Sequence, residues 1–341
     1  MAEKFLDQLT MPEVNPDEVC VVSGSVDPEL AGQIAGHMGL EESPVDRIKF
    51  PNTERYARYE ESVRGKHVFI VQSTAAGNGL TTNDALVELG LMIGAAHTSS
   101  AKEVTAIIPY FGYGRQERKA KGREPISSQW ALNALAVGGL KRAVTLDIHE
   151  PAIQGSFNNP FDLVTAGSVI EDAIAQEMAT NPDEEFIMVA PDGGRASQNQ
   201  DHARELGIGY IVLDKDRLRD DMGRPEFIEH VEGKTCVIVD DEIDTAGTLL
   251  SATKALSRSG SKRNIACATH LIFSSPAHKN LKHKSVSKII GTNSVPLKQK
   301  AAKALEGKLD IHDISYLLAV TAGQIATEGS VSAVFQGRNH R

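Results

Sequence analysis

A chain of 341 residues, 41% of them hydrophobic, carries enough apolar material for two ordinary α/β cores. Its formal net charge of -9 argues against nucleic acid as the main partner, which would need a basic face. Cys20, Cys236 and Cys267 lack the paired spacing of a zinc or disulfide framework; no apolar run approaches about eighteen residues, and Glu3, Asp7 and Glu13 stand where a signal-peptide core would lie, so the expectation is a cytoplasmic protein with no membrane partner.

Short apolar runs predict buried parallel strands at Val68–Val71, Val104–Ile108, Ala143–Leu146, Phe186–Val189, Tyr210–Leu213, Cys236–Val239 and Ile265–Ala268. Amphipathic stretches lie between them. Asn83–Ala96 repeats Leu86, Leu89 and Ile93 at helical spacing, and Ser168–Met178 opens with Ser168 and Glu171 in the order of a capping box. Asp313–Thr327 reads as a late helix capped by Asp313. Alternation of this kind is the pattern of doubly wound α/β units. Pro109-Tyr110, Asp147-Ile148-His149, Pro191-Asp192, Asp214-Lys215 and Asp240-Asp241 each follow a strand. Polar groups gathered at strand carboxyl ends are what an active site on this architecture requires, although each pair alone is also ordinary turn chemistry.

The most informative segment is Val237–Leu249: a β-branched run, the acids Asp240, Asp241, Glu242 and Asp244, the small residues Thr245, Ala246, Gly247 and Thr248, then a helix predicted over Leu249–Leu256. Unobstructed backbone N–H groups at a helix start suit an anion, while the carboxylates suit sugar hydroxyls or magnesium. The competing reading is a plain strand-to-helix turn with Asp244 or Thr245 as N-cap. Farther upstream, Phe111-Gly112-Tyr113-Gly114 is followed by a basic stretch, Arg115 to Arg123. That stretch reads either as a mobile loop closing on a polyphosphate or as a solvated charge run.

Val237–Leu249 resembles the phosphoribosyl-diphosphate signature of type I phosphoribosyltransferases and of ribose-phosphate diphosphokinases. Pro109–Lys119, Arg123–Ser127 and Asp147–Phe157 are similar to segments of the second family. That resemblance spans about Val21 to Phe335. It implies two phosphoribosyltransferase-like, type I, doubly wound domains with mostly parallel sheets: residues 1–163, with a C-terminal tail 325–341 packing back on them, and residues 164–324, carrying the ribose 5-phosphate loop. It implies transfer of the diphosphoryl group of Mg-ATP to the 1-hydroxyl of ribose 5-phosphate, giving phosphoribosyl diphosphate and AMP.

By the same resemblance, Phe50, Asn52, Glu54, Arg115 and Gln116 bind ATP. Asp240, Asp241, Asp244, Thr245, Ala246, Gly247 and Thr248 bind ribose 5-phosphate. His149 and Asp192 associate with Mg2+, Lys215 stabilises the transferring group, and Arg217 meets the same charge or ribose 5-phosphate. Ser62, Arg64, Ser330 and Ser332 would line an anion site where phosphate acts as activator, unless the tail is simply a strand with alternating serines. The resemblance implies a homohexamer. Departures from the family pattern include Asn52 in place of Asp, Gln198 and Gln200 at positions often held by Arg, and about four extra residues within Ala75–Thr82. Two rivals are a catalytically weak regulatory or binding homologue and a transferase that consumes phosphoribosyl diphosphate. Lys215 and the basic loop oppose the first, and the segments resembling an ATP site oppose the second.

Overall fold

The computed structural model describes residues 4–191, 193–213 and 228–335, the Arg195 side chain excepted. Two compact units emerge from the backbone contacts. The first comprises Met1–Thr165, Ser294–Pro296 and Asp313–Asn339; the second comprises Ala166–Asn293 and Leu297–His312 with the last two residues.

In the first unit β1 (Val19–Ser23) leads through α1 (Pro28–His37) to an antiparallel hairpin, β2 (Val45–Lys49) and β3 (Arg55–Tyr59). The chain then runs through β4 (His67–Val71), α2 (Thr82–Thr98), β5 (Glu103–Ile108), α3 (Ser127–Val137), β6 (Arg142–Leu146) and β7 (Phe161–Val164). The main sheet has the order β1-β4-β5-β6-β7, and every pairing in it is parallel. Strand residues alternate between its faces. Cys20, Val22, Val68, Ile70, Val104, Ala106 and Ile108 meet Leu86, Leu89, Met92 and Ile93 of α2 and Leu132 and Leu135 of α3. The intervening Val21, Phe69, Val71 and Ile107 are equally buried, and α1 packs on β1 and β4. Coverage of both faces is why these strands read as near-continuous apolar runs.

The second unit runs α4 (Gly167–Thr180), β8 (Phe186–Ala190), α5 (Ala196–Leu206), β9 (Gly209–Val212), β10 (Thr235–Ile243), α6 (Gly247–Arg258), β11 (Arg263–Leu271), α7 (Ala277–Leu281), β12 (Lys288–Thr292), α8 (Gln299–Ala304) and β13 (Leu309–His312). Its parallel sheet has the order β13-β12-β11-β10-β8-β9. Ile170, Ala173 and Ile174 of α4 and Ala203 of α5 cover Met188, Val237, Val239, Ile265 and Cys267. Ala252 and Leu256 of α6 cover Ile187, Val189, Cys236 and Ile238. Helices on both faces make this a doubly wound sheet. Among the described residues no helix is long and apolar enough to cross a membrane.

Several local expectations change. The chain rejoins the first unit at Asp313, not at 325, because α9 (Ser315–Ala326) is apolar nearly all round and packs against α1. Asp313 does bind the start of that helix, accepting from the Ser315 amide at 3.0 Å, although Ile314 is the cap residue. No capping box forms at Ser168. The N-cap of α4 is Ala166, and the Glu171 carboxylate lies instead 2.8 Å from His202 Nδ1, joining α4 to α5. The tail is not a strand: α10 (Val331–Val334) is a single helical turn, capped by the Ser330 side chain through the Ala333 amide at 3.3 Å.

Candidate functional site

Strand order in the second unit reverses at β8, whose two neighbours are β9 and β10. Such a reversal leaves a crevice at the strands' carboxyl ends, where ligands of open α/β sheets bind. Here β8 pairs with β10 only as far as Met188 and Val237, whereas β10 continues along β11 to the pair Ile243 and Leu271. The last six residues of β10 therefore border that crevice without a β8 partner, and they carry the acids.

Asp240, Asp241 and Glu242 belong to the strand itself, which runs on past the expected Cys236–Val239 to Ile243. Strand alternation puts Asp240 and Glu242 on one face and Asp241 on the other, which separates the charges. Asp240 is half-buried, while Asp241 and Glu242 are buried. The Asp240 carboxylate accepts from the Asp241 amide at 2.9 Å, and the Asp241 carboxylate accepts from the Glu242 amide at 3.0 Å. Both acids are thus oriented by the strand that carries them.

Beyond Ile243 the chain turns sharply. Neither Asp244 nor Thr245 caps α6; the cap residue is Ala246, in the left-handed region at φ 57, with no side-chain cap bond. Outside glycine this conformation is strained, so the surrounding structure must hold Ala246 in it. Ala246 itself is buried, but Thr245, Gly247 and Thr248 are exposed. The amides opening α6 have no intrahelical acceptor, and the helix dipole adds positive potential there. An anion of phosphate size is the natural occupant of such a turn. Two residues missed in the sequence brace it. Asn280 Nδ2 donates to the Thr245 carbonyl at 2.9 Å, and buried Asn199 donates to the Val239 carbonyl at 3.1 Å. Asn199 had a signal in being a polar residue on the inner face of an amphipathic helix; Asn280, on the short helix α7, had none.

In the first unit, the turn after β5 is built around the polar end of β4. The Ser73 hydroxyl accepts from the Tyr110 amide at 3.2 Å, and the Thr74 hydroxyl oxygen accepts from the Gly112 amide at 2.6 Å. Glycine is required at 112, since a Cβ there would lie 2.5 Å from the Thr74 carbonyl oxygen. The Tyr113 hydroxyl donates to Asn83 of α2. So anchored, the turn presents Arg115 and Gln116 exposed. The Gln116 side-chain oxygen accepts from Ser127, which leaves its NH2 group to donate elsewhere. Gln72-Ser73-Thr74, three polar residues directly after an apolar strand, was the overlooked signal for this anchor.

Phe50, Asn52 and Glu54 form the exposed turn of the β2–β3 hairpin. Phe50 stands edge-on to Tyr56, with ring centroids 6.1 Å apart. Asn52 Oδ1 accepts from the Glu54 amide at 3.2 Å, so the residue shapes the turn with one lone pair and retains another, plus two N–H donors, for a base. His149 is exposed beyond β6, after Asp147 at φ 31. Ser62 accepts from the Arg64 amide, and Arg64 reaches Ser100 Oγ, both at 3.4 Å. No hydrogen bond or ion pair among the described residues joins Ser62 and Arg64 to Ser330 and Ser332. Lys215, Arg217 and Asp192 lie outside the described residues.

Among the described residues no three His, Cys, Asp or Glu side chains could hold a metal together. Magnesium takes one or two protein carboxylates and fills its shell with phosphate oxygens and water.

The fold and the strand–loop–helix at the crevice define an α/β protein of the type I phosphoribosyltransferase class, with two mainly parallel sheets. Comparison with known proteins narrows this. Residues 19–139 match the model of the N-terminal domain of ribose phosphate pyrophosphokinase, and residues 220–336 match that of the phosphoribosyl synthetase-associated domain. A ribose-phosphate pyrophosphokinase of Aquifex aeolicus is 37% identical over 93% of this chain and 99% of its own. One from Caldanaerobacter subterraneus is 36% identical over 92% and 97%. The crystal structure of phosphoribosylpyrophosphate synthetase from Mycobacterium smegmatis superposes with a TM-score of 0.82 at 33% identity, covering 92% of this chain and 100% of that one. The chain belongs to the ribose-phosphate pyrophosphokinase family.

Proposed function

We propose that this protein is an active ribose-phosphate diphosphokinase. The 1-hydroxyl oxygen of ribose 5-phosphate attacks the β-phosphorus of ATP. The bond from that phosphorus to the α–β bridging oxygen breaks, AMP leaves, and the hydroxyl proton is lost. The observation that carries the reading is the Ala246 turn at the end of β10, whose amides opening α6 suit the 5-phosphate; Asp240 and Asp241, on the strand that leads into the turn, are assigned to the ribose hydroxyls. Asp244, Thr245, Gly247 and Thr248 complete this subsite.

ATP is assigned to Phe50, Asn52, Glu54, Arg115 and Gln116. The phenyl ring offers a stacking face, and the basic turn offers charge to the polyphosphate. Lys215 and Arg217 are assigned to the transferring diphosphoryl group, where fixed cations lower the barrier by meeting charge as it shifts. His149 and Asp192 are assigned to magnesium, which when bound with ATP would neutralise part of the polyphosphate charge. Phosphate activation is assigned to Ser62, Arg64, Ser330 and Ser332. Although the Ser330 oxygen caps α10, its O–H can still donate to an anion. A cytoplasmic homo-oligomer, a hexamer by resemblance, completes the proposal.

The test is product identification by 31P NMR after incubation with ATP, ribose 5-phosphate and magnesium. AMP with phosphoribosyl diphosphate is expected. ADP with a singly phosphorylated sugar, or tight binding with no turnover, would overturn the reading.

A further inference from the structure

A two-stranded hairpin is marginal by itself, so the position of its turn depends on what it leans against. Here β3 leans on α2. Arg55, Ala57 and Tyr59 alternate onto one face of the strand and are its less exposed residues. Tyr59 and Ala57 pack against the core, and the Tyr59 hydroxyl donates to the Met92 carbonyl at 3.1 Å. Arg55, the first residue of β3, is the contact nearest the turn and pairs with Lys49 across the hairpin.

The Arg55 side chain is only 9% exposed, yet its buried Nε has no hydrogen-bond partner. Nη1 stands 3.6 Å from Glu88 Oε2, and Nε stands 3.9 Å from Asp84 Oδ1. Both acids are held by other groups. Glu88, 1% exposed, accepts from the Ser25 amide at 2.7 Å and from Gln72 Nε2 at 3.0 Å. Asp84 accepts from the Thr81 amide at 2.9 Å and from its hydroxyl at 2.8 Å. The acids are thus a fixed frame on α2, and the guanidinium hangs between them by charge.

We propose that Arg55 is a positioning residue for the nucleotide: its suspension between Asp84 and Glu88 sets the angle of the β2–β3 hairpin and so the placing of Phe50, Asn52 and Glu54 against the base. The inference rests on the reading of that turn as part of the ATP site. Because the contact is ionic and not a bidentate fork, a lysine ammonium can replace it in part.

Steady-state kinetics of Arg55→Met, Arg55→Lys and the control Phe50→Ala test this, with Tm recorded for each. Arg55→Met is expected to raise KM for ATP about tenfold while kcat and KM for ribose 5-phosphate stay within about twofold. Arg55→Lys should recover most of the loss. If Phe50→Ala raises KM for ATP and Arg55→Met does not, the inference fails alone and the assignment of the turn stands. If neither moves it, the turn is not part of the ATP site and the inference falls with that reading. A matching decline of all parameters together with Tm would mean a purely structural arginine and would also overturn it. Should Arg55→Met fail to fold, Arg55→Gln is read by the same criteria.

Discussion

Replacing Ala246 with valine would test whether the left-handed turn is what builds the proposed phosphate cradle. The residue sits at φ 57 and is 7% exposed, within the cluster that includes Ile243, Ala268, Leu271 and Phe273. Branching at Cβ in this conformation adds strain of about 1 kcal/mol or more. Two further methyl groups in a filled site add about 1–3 kcal/mol of overpacking. The sum, about 2–4 kcal/mol, lowers Tm by roughly 5–15 °C if the turn is retained. The chain can also escape by bringing φ negative, which swings the Gly247 and Thr248 amides off their aim. KM for ribose 5-phosphate then rises roughly 10- to 100-fold, or about 1.4–2.8 kcal/mol. Ala246→Gly is the counterpart. It relieves roughly 1–2 kcal/mol of left-handed strain, loses one buried methyl worth about 0.8 kcal/mol, and adds glycine's unfolded-state entropy, about 0.5–1 kcal/mol. Its Tm and KM should both stay near wild type. Thermal melts and ribose 5-phosphate titrations of the two variants decide the matter. A valine variant with unchanged Tm and unchanged KM would refute the argument.

Other outcomes follow from the same geometry. Gly112→Ala drives a Cβ to 2.5 Å from the Thr74 carbonyl oxygen and 2.7 Å from Thr82 Cγ2. It should cost about 1–3 kcal/mol in urea unfolding and weaken ATP binding more than ribose 5-phosphate binding. Lys215→Ala should lower kcat by roughly a hundredfold or more with small changes in either KM, as loss of a cation at the transferring group demands; full turnover would remove Lys215 from the mechanism. Burial opposes ionisation of Glu184, yet hydrogen bonds from Thr235, Arg263 and Lys262 outweigh it and hold the carboxyl at about 2, against an ordinary 4.5. A depressed folded-state value means that stability is fully present above about pH 4.5 and is lost as pH falls toward 2. With screening near the surface the loss is about 1–2 kcal/mol, and Glu184→Gln should flatten the urea-midpoint profile between pH 5 and 2.5, roughly.

Legibility in the sequence followed burial only in part, since the buried strands β1, β7 and β12 were not among those expected while the edge strand β9 was. The expected parallel strands all exist, and where helices cover both sheet faces the apolar runs are near-continuous; β9, expected to be buried, lies at the sheet edge and leaves Val212 exposed. The β2–β3 hairpin left no such trace. Val-Asp-Arg-Ile-Lys and Arg-Tyr-Ala-Arg-Tyr form a two-stranded ribbon with one face open to solvent, so polar residues interrupt it throughout. The edge strand β13, Leu-Asp-Ile-His, was hidden likewise. Ser168 and Glu171 had capping-box spacing, but His202 from a helix distant in sequence claims the carboxylate. There the helix begins earlier, with Ala166 as its N-cap, and a tertiary partner takes the acid that the local pattern assigned to a cap.

The Ala246 turn shows the same limit from the other side. Four small residues after a row of acids specify a loop that admits an anion, but they do not say which residue bends. Ala246, not the adjacent Gly247, takes the left-handed conformation, while Gly247 begins the helix. The reason lies in the neighbours. The Thr245 carbonyl is held by Asn280, and the Ala246 methyl is fixed by apolar contacts from β10, β11 and the segment beyond, so the turn is determined from both sides of the residue. A glycine at 246 would adopt the angle more readily but would lose that anchoring methyl. The strain at Ala246 is therefore offset by packing in this chain, and that is why the valine and glycine variants should part so sharply in KM and in Tm.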